Sequence, residues 1–575
     1  MTWRAAIGGM LRGHCAVRTS LRGLASRRLC STVSIDVSRL PKRTPHTHTE
    51  YAPNTLLKSL ATQMRVRGPM SVKEFMTAAL THPVHGYYMQ HSEVFGRQGD
   101  FVTSPELSQV FGELLGVWCV ASWEALGRPA QLRLIEMGPG KGTLMADVLR
   151  STSIFAPFQD ALQVDFVEVS AHLRAAQRQT LLAASGAEEE VQSQSVAGVD
   201  ASAATASAAT ASAASVASAL PPSLLWRPAA PSAPSVAVHW HSSLEDVPRD
   251  ADTPELVLAH EFLDALPVHQ LVQTPRGWLE RLVDLSEHAK LVQQDAEGGG
   301  GGGGGDAAAG QGTDAEWRDL DADERALDFV VSPSPTPASV LFGPRMSSRQ
   351  GAADGPTGGG AEGACGGAGG DADGGVVASV LGAVEVCPGA ISFMQQLCRR
   401  LKTQRGAALL IDYGGDDVPR DSLRGILGHR AVHPLHAPGS VDLSVDVDFG
   451  ALRDVARDEG GSALRCPPLA TQRDFLAAMG LEARVNALLR KTPDDRAARQ
   501  ALVQSASRLV ASPGMGTAYK VFAIAHADVG STGVAGFGEA PVLAPADGTE
   551  AEANPPDDDD DLPDPAAGRK IRLVR

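Results

Sequence analysis

The chain has 575 residues, 43% of them hydrophobic, and a formal net charge of −16 at pH 7. This length can bury a substantial core, although low-complexity tracts reduce the folded part to one large domain or two smaller ones. The acidic balance, without a basic stripe of interleaved aromatics, argues against nucleic-acid binding. No apolar run is long enough to span a bilayer. The seven cysteines lack paired zinc-type spacing, so we predict no metal site and a thiol-reducing compartment.

Residues 1–35 differ in composition from the rest of the chain. They contain six arginines and no acidic residue, among small, apolar and hydroxylated side chains. This composition is typical of a transit peptide, and the regular spacing of the arginines favours the mitochondrion. A disordered basic tail is the alternative.

Residues 51–128 are predicted to form a helical N-terminal subdomain. Helices are expected at Thr55–Arg67 and at Ser71–Leu80, where Ser71 and Glu74 have the spacing of a capping box.

A further helix is predicted to begin near Ser104. Ser104 suits the N-cap and Pro105 the first helical position, and apolar residues from Leu107 to Trp118 recur at helical spacing, as in a core-facing helix. Gly99 and Asp100 precede this helix, at a position that could face a bound cofactor.

The stretch Gln131–Arg150 combines a short apolar strand, a glycine turn and a helix. Gly138, Gly140 and Gly142 alternate after the acid Glu136. A Walker loop requires Ser or Thr after Gly-Lys, and a dinucleotide fingerprint requires its third glycine where this chain has Thr143. The remaining pattern, acid-x-Gly-x-Gly-x-Gly, is similar to the first motif of Rossmann-like S-adenosylmethionine-dependent methyltransferases. An ordinary strand-to-helix turn is the alternative.

Strands and helices alternate from this turn onwards. Strands are predicted at Asp165–Val169, Val236–Trp240, Glu255–Ala259 and Gly406–Tyr413, with added strands at Trp278–Leu285 and Ala326–Val331 and helices at Ala171–Ala184 and Ile391–Lys402. Such alternation predicts an α/β fold with a doubly wound sheet and a ligand at the carboxyl ends of its strands. Low-complexity inserts are predicted near 186–234, 286–315 and 346–376, and residues 541–575 form a predicted disordered acidic tail.

Acidic side chains follow four of these strands. Glu136, Glu168, the segment His260–Asp264 and Asp412 should therefore converge on one crevice. Within that segment, the zinc-protease pattern His-Glu-x-x-His fails because Asp264 stands in place of the second histidine. Glu261 and Asp264, three residues apart, should lie on one side of a helical turn, where capping or a salt bridge is the alternative role.

Several segments together resemble the MidA family. They are GRQGDFVTSPELSQVFGELLGVW, EMGPGKGTLMADVL, VEVS, LAHEFLDALPVHQ and GAALLIDYG, and the resemblance extends over about residues 56–525. The family comprises mitochondrial complex I assembly factors regarded as protein arginine methyltransferases. The inserts, the acidic tail and Leu263 in place of the usual phenylalanine are departures from its pattern.

The resemblance implies a Rossmann-like methyltransferase core and S-adenosylmethionine as methyl donor. It also implies an arginine of a complex I peripheral-arm core subunit as acceptor, symmetric dimethylation and a location in the mitochondrial matrix. The expected cofactor-binding residues are Gly99, Asp100, Glu136, Gly138, Gly140, Gly142 and Glu168, of which Glu168 would bind the ribose hydroxyls.

The acceptor arginine calls for a chemistry of its own, because free guanidinium is a cation whose pKa lies far above neutral pH. Paired carboxylates can hold it by forked hydrogen bonds, which assigns Glu261 and Asp264 to its orientation and leaves His260 as a weaker candidate proton acceptor. Two alternatives stay open: an assembly chaperone that keeps the fold as a scaffold, and a methyltransferase of small molecules.

Overall fold

A computed structural model describes residues 55–90, 103–185, 223–228, 234–286, 289, 326–353, 383–492, 495–529 and 534–537. The predicted transit peptide, the acidic tail, and Gly99 and Asp100 lie outside these ranges. No helix among the described residues is long and apolar enough to cross a membrane.

The strands, in chain order, are β1 (Met70–Ser71), β2 (Leu132–Met137), β3 (Leu162–Val167), β4 (Ser223–Trp226), β5 (Val236–His241), β6 (Glu255–His260), β7 (His269–Thr274), β8 (Gly277–Leu285), β9 (Leu327–Val331), β10 (Val384–Val386), β11 (Gly406–Gly415), β12 (Arg424–Leu427), β13 (Arg430–Val432), β14 (Asp442–Ser444), β15 (Val447–Asp448), β16 (Leu464–Arg465), β17 (Ala470–Thr471) and β18 (Tyr519–His526).

The α-helices are α1 (Thr55–Arg67), α2 (Val72–Thr81), α3 (Tyr87–Gln90), α4 (Ser104–Leu107), α5 (Gln109–Ala125), α6 (Thr143–Thr152), α7 (Ala156–Ala161), α8 (Ala171–Ala184), α9 (Pro337–Ala353), α10 (Pro388–Gln404), α11 (Phe449–Gly460), α12 (Gln472–Ala478), α13 (Leu481–Lys491), α14 (Arg496–Val510) and α15 (Met515–Ala518).

The main sheet has ten strands, of which eight follow the order β16-β18-β11-β6-β2-β3-β5-β4, while β15 pairs with β11 and β17 with β18. The five central strands, from β11 to β5, are parallel, whereas β18 is antiparallel to β11. Strands β2 and β6 are buried along their whole length, because apolar side chains of α5 and α6 cover one face of the sheet and those of α10 and α11 the other. The predicted doubly wound α/β fold is confirmed.

A second, antiparallel sheet contains β1, β8, β7 and β10, with β9 on the free side of β8. The strands predicted at Trp278–Leu285 and Ala326–Val331 are β8 and β9 of this second sheet. The connection between β7 and β8 is short, and Gly277 there has a φ of 97°. A tight turn joins antiparallel neighbours, so β8 lies beside β7. Helices α1 and α2 pack on this sheet through residues such as Leu56 and Phe75. The structure thus divides the predicted N-terminal subdomain, because α5 packs on the main sheet instead.

Local differences from the predictions have identifiable causes. The capping box of Ser71 and Glu74 is present. The predicted start of the helix at Ser104 is wrong, because this region contains two helices. Thr103 is the N-cap of the short α4, and Ser108 is the N-cap of the longer α5. Two elements also lie partly or wholly in the predicted inserts. β4 lies within 186–234 and pairs with β5, which follows that insert, and α9 extends into 346–376.

Candidate functional site

The glycine turn connects β2 to α6 at the carboxyl edge of the main sheet. Gly138, Gly140 and Gly142 have φ angles of 57°, 53° and 83°, in the left-handed region that other residues rarely adopt. A Cβ atom on Gly138 would also lie 2.9 Å from Cδ2 of Phe262. Glycine is therefore required both by the path of the turn and by the segment that faces it.

The turn lines a cavity of about 390 Å³, together with Glu136, His260 and Glu261. Glu136 is 3% exposed, and its Oε2 atom has no hydrogen-bond partner. Burial raises its pKa well above the usual range. A buried acceptor without a donor costs folding free energy, so its presence in a cavity wall points to a ligand that supplies a donor or a positive charge.

Glu168 lies just beyond β3, beside the glycine turn. Its Oε1 atom accepts a hydrogen bond from the Ser170 N–H at 2.8 Å, and its Oε2 atom accepts one from Gln177 Nε2 at 3.2 Å. Burial raises the pKa of this carboxyl to about 7, although these donors partly oppose the shift. The carboxylate is thus held in place with lone pairs left for further donors.

The segment after β6 is not the predicted helical turn. Instead, the Oδ2 atom of Asp412 accepts hydrogen bonds from the backbone N–H groups of Phe262, Leu263 and Asp264, at 3.1, 2.9 and 3.2 Å. Asp412 is 1% exposed and reaches this segment from the neighbouring strand β11. A remote carboxylate, rather than helical hydrogen bonding, therefore shapes this segment.

Glu261 begins the segment in a strained conformation, with a φ of 50°. Its Oε1 atom accepts hydrogen bonds from the Tyr519 hydroxyl at 2.7 Å and, more weakly, from the Ser104 N–H at 3.4 Å. Burial raises its pKa to about 8, and the charge of Asp264 adds to the shift. Such strain is typical of positions where a side chain must point at a ligand.

His260 is buried behind Glu261, between Phe111 and Tyr519. Burial lowers its pKa to about 3, so the imidazole is neutral, and its Nε2 atom has no hydrogen-bond partner. The 3.5 Å approach of this atom to Glu261 Oε1 is therefore a contact and not an ion pair. A histidine with so low a pKa is a weak proton acceptor.

Asp264 lies in a recess of acidic and aromatic side chains. Burial raises its pKa to about 6, and the nearby Arg424 guanidinium opposes the shift. Arg424 donates to Asp446 at 2.6 Å and lies 5.0 Å from the centre of the Tyr413 ring. This recess already binds one guanidinium, that of Arg424, by the combination of carboxylate and aromatic face.

The predicted site residues thus fall into three groups. Glu136, Gly138, Gly140, His260 and Glu261 line one cavity. Gly142 completes the glycine turn, which Gln177 connects to Glu168. Asp264 lies in the recess near Arg424. Gly99 and Asp100 are outside the described residues.

Comparison with known proteins shows which family this architecture represents. The family model described as S-adenosyl-L-methionine-dependent methyltransferase matches residues 114–467. The chain is 34% identical over 471 residues to protein arginine methyltransferase NDUFAF7, mitochondrial, of Mus musculus, covering 82% of this chain and 84% of that protein. The Danio rerio protein of the same name is 32% identical over 506 residues, covering 87% of this chain and 90% of the relative.

The chain belongs to this methyltransferase family. Its resemblance to the MidA family is confirmed, and its cofactor is S-adenosylmethionine. A crystal structure of a Burkholderia thailandensis protein bound to S-adenosyl-homocysteine has a similar fold, with a TM-score of 0.53 at 22% identity, covering 82% of this chain and 94% of that one.

The residues that line the cavity and lie beside it fit this cofactor. S-adenosylmethionine carries an ammonium group, a sulfonium and two ribose hydroxyls. The unpartnered Oε2 atom of Glu136 can accept from a cation, the positive-φ glycines leave the main chain open, and the Glu168 carboxylate can accept from hydroxyls.

Three residues of the site were not assigned a role from the sequence. Gln177 and Tyr519 carry no local motif: Gln177 contacts Gly140, 37 residues earlier, and Tyr519 contacts Glu261, 258 residues earlier. Asp412 was expected near the crevice because it follows a strand, but nothing in the pattern indicated that it would cap the segment after β6.

Proposed function

We propose that this methyltransferase transfers methyl groups to a protein arginine, to the symmetric dimethyl product, on a core subunit of the peripheral arm of mitochondrial complex I during assembly in the matrix. The observation that carries the proposal is its identity of 31–34% with mitochondrial proteins named as protein arginine methyltransferases, over 82–87% of this chain. The acidic residues beside the cofactor cavity support a cationic acceptor.

In this proposal, Glu261 receives the guanidinium at the boundary between the cavity and the acidic recess. Tyr519 and Ser104 both donate to Oε1 of Glu261, so Oε2 is the oxygen best placed to accept from the substrate. A bound guanidinium favours the charged carboxylate and so lowers its pKa from about 8. Glu261 can then accept the proton that the arginine nitrogen must lose on methylation.

Asp264 supplies the second negative charge in this proposal. Its charge raises the pKa of Glu261, so the two carboxylates interact, and in this proposal they share the delocalised guanidinium charge. S-adenosylmethionine, when bound, supplies a methyl group on a sulfonium. Because displacement at that carbon needs little covalent help, holding the nitrogen in line is the main task left to the protein.

The test is methyl transfer to isolated peripheral-arm subunits of complex I. The full chain is incubated with these subunits and S-adenosylmethionine carrying a labelled methyl group, and modified residues are identified by mass spectrometry. We expect symmetric dimethylarginine on a core subunit. In Glu261→Gln we expect transfer to fall by at least about 10³-fold, with the affinity for S-adenosylmethionine within about threefold of the parent.

A matched control is Glu280→Gln. Glu280 is also a buried acid, 3% exposed, but it lies in the second sheet, where it contacts His269. We expect this variant to lose stability and to keep methyl transfer. Labelled lysine or a labelled small molecule in place of arginine would contradict the arginine assignment. Binding of S-adenosylmethionine without any transfer would favour the chaperone alternative.

A further inference from the structure

Gln177 is a fully buried amide on α8 whose three hydrogen bonds leave one possible orientation. The Trp240 Nε1–H group donates to Gln177 Oε1 at 2.9 Å. Since indole is a donor only, this contact identifies the amide oxygen and leaves the amide nitrogen to donate to Gly140 and Glu168.

The two N–H bonds of that nitrogen connect parts of the site that are separate in sequence. One donates to the carbonyl oxygen of Gly140 in the glycine turn, at 2.9 Å, and the other to Oε2 of Glu168, at 3.2 Å. The backbone of α8 also packs directly on the turn, because a Cβ atom on Gly142 would lie 3.2 Å from Cα of Gln177. Gln177 therefore contacts both the turn and the acid.

We propose that Gln177 is a positioning residue for S-adenosylmethionine: its amide, oriented by Trp240, fixes the glycine turn and the Glu168 carboxylate at one mutual spacing. Both elements are thereby placed before the cofactor arrives, and less ordering remains to oppose binding. Because Gln177 acts on the turn and the acid and not on the transferred methyl group, it should affect the methylated cofactor and its demethylated product alike.

The sharpest test is Gln177→Glu, which keeps the shape of the side chain and replaces the donor with a carboxyl. When this new carboxyl is ionised, it faces two acceptors, the Glu168 carboxylate and the Gly140 carbonyl oxygen, and can donate to neither. When it is protonated, it can donate a hydrogen bond to one of them again. The charge of Arg174 also acts on the Glu168 carboxyl and lowers its pKa, and Arg174 donates to the Glu168 carbonyl oxygen at 2.8 Å. This contact is the same in the parent and the variant, so a difference between them that changes with pH reports on the carboxyl pair.

Binding of S-adenosylmethionine and of S-adenosylhomocysteine is measured by calorimetry between about pH 6 and about pH 9, a range in which paired carboxyls can titrate. Near pH 9 we expect the variant to bind both ligands about 10- to 100-fold more weakly than the parent, as for loss of a hydrogen bond to a charged group. Towards pH 6 the deficit should shrink at least about threefold as the pair takes up a proton.

Gln159→Glu is the matched control. Gln159 is an equally buried amide, but it donates to Thr152 Oγ1 at 2.8 Å, in the packing between α6 and α7. This variant should be destabilised without a pH-dependent change in cofactor affinity.

Trp240→Phe tests the same contact from its other end and guards against a Gln177 variant that fails to fold. The ring keeps its packing on Phe166, but the amide loses the donor that orients it. We expect a severalfold weaker affinity for both ligands. The proposal is overturned if folded Gln177→Glu binds both ligands with the parental affinity at every pH, or if its loss of affinity does not change with pH. If Gln177→Glu does not fold, parental affinity in Trp240→Phe overturns the proposal.

Discussion

The site around the cavity has two sides that are built in different ways. On the glycine-turn side (Glu136, Gly138–Gly142, Glu168 and Gln177), every residue comes from one stretch that runs from β2 through α8. On the Glu261 side (Ser104, Glu261, Asp412 and Tyr519), the residues come from four distant parts of the chain, and Tyr519 is 258 residues from Glu261.

With the roles proposed above, this difference separates the residues for cofactor binding from those for acceptor chemistry. The glycine-turn side is one βαβ unit, so its geometry is determined by local turns and the contact of α8 with the turn. The Glu261 side exists only when the main sheet brings β6, β11 and β18 together. Variants on one side should therefore leave the function of the other nearly intact, except where the two sides touch.

The largest effect is expected where they touch, at Gly138. In Gly138→Ala, the added Cβ would meet the Phe262 ring at 2.9 Å, so both the turn and the segment that begins with Glu261 must shift. We expect the affinity for S-adenosylmethionine to fall by at least about 100-fold and methyl transfer with it, consistent with an overpacking cost of about 1–3 kcal/mol added to backbone strain. Calorimetry measures the first and label transfer the second.

Gly428→Ala controls for the strain alone. Gly428 has a φ of 55°, close to the 57° of Gly138, but a Cβ atom added there would have nothing within 4 Å. Its cofactor affinity should stay within about threefold of the parent, because backbone strain remote from the cavity changes folding rather than binding. Equal losses in the two variants would mean that the contact with Phe262 is irrelevant.

A smaller effect, confined to one side, is expected for Asp412→Asn. In the parent, Oδ2 of Asp412 accepts from three N–H groups and Oδ1 accepts from the N–H of Tyr413. In the variant, the amide –NH₂ replaces one of these oxygens, so in both amide orientations it faces N–H donors and cannot accept from them. We expect kcat to fall about 10- to 100-fold, the cost of about 1–3 kcal/mol for an unsatisfied buried group, with cofactor affinity nearly unchanged.

The control is Asp495→Asn, since Asp495 caps α14 and asparagine is an equally good cap. It should behave like the parent. A loss of cofactor affinity in Asp412→Asn as large as its loss of kcat would refute the independence of the two sides.

The smallest effect is expected for Tyr519→Phe, which tests whether Tyr519 acts through Glu261. In the proposed mechanism, Glu261 binds arginine as the carboxylate, so kcat/KM should rise with pH through about 8 in the parent. The Tyr519 hydroxyl stabilises that charge and lowers the pKa; removing it should move the inflection to higher pH and reduce kcat/KM about tenfold at neutral pH. An unmoved inflection would show that Tyr519 does not act through Glu261.

The two sides of the site also differ in how well the sequence predicts them. The strand, glycine turn and helix around Gly138–Gly142 were predictable, because local periodicity and glycine at positive φ are written in consecutive residues. The parallel order of the core strands followed from the alternation of elements. The antiparallel second sheet did not, since alternation cannot distinguish a helical crossover from a hairpin when low-complexity tracts interrupt the pattern.

The conformation of the Glu261 segment was beyond such reasoning. A spacing of three suggested a helical turn for Glu261 and Asp264, but Asp412, on the next strand over, provides the acceptor that the backbone uses instead. Ser104 was likewise expected to cap a helix, and its N–H group instead contacts Glu261. In each case a tertiary partner replaced the local one that the pattern indicated.

The position of β18 has a consequence for how the enzyme matures. This strand lies between β11 and β16 in the main sheet and carries Tyr519 to Glu261. A chain that leaves the ribosome N-terminus first can therefore close its glycine turn long before β18 exists, and contacts so distant in sequence are slow to form. With the proposed role of Glu261, methyl transfer requires a chain synthesised through β18, so a product terminated before Tyr519 would retain the cofactor-loop residues without the acceptor site proposed above.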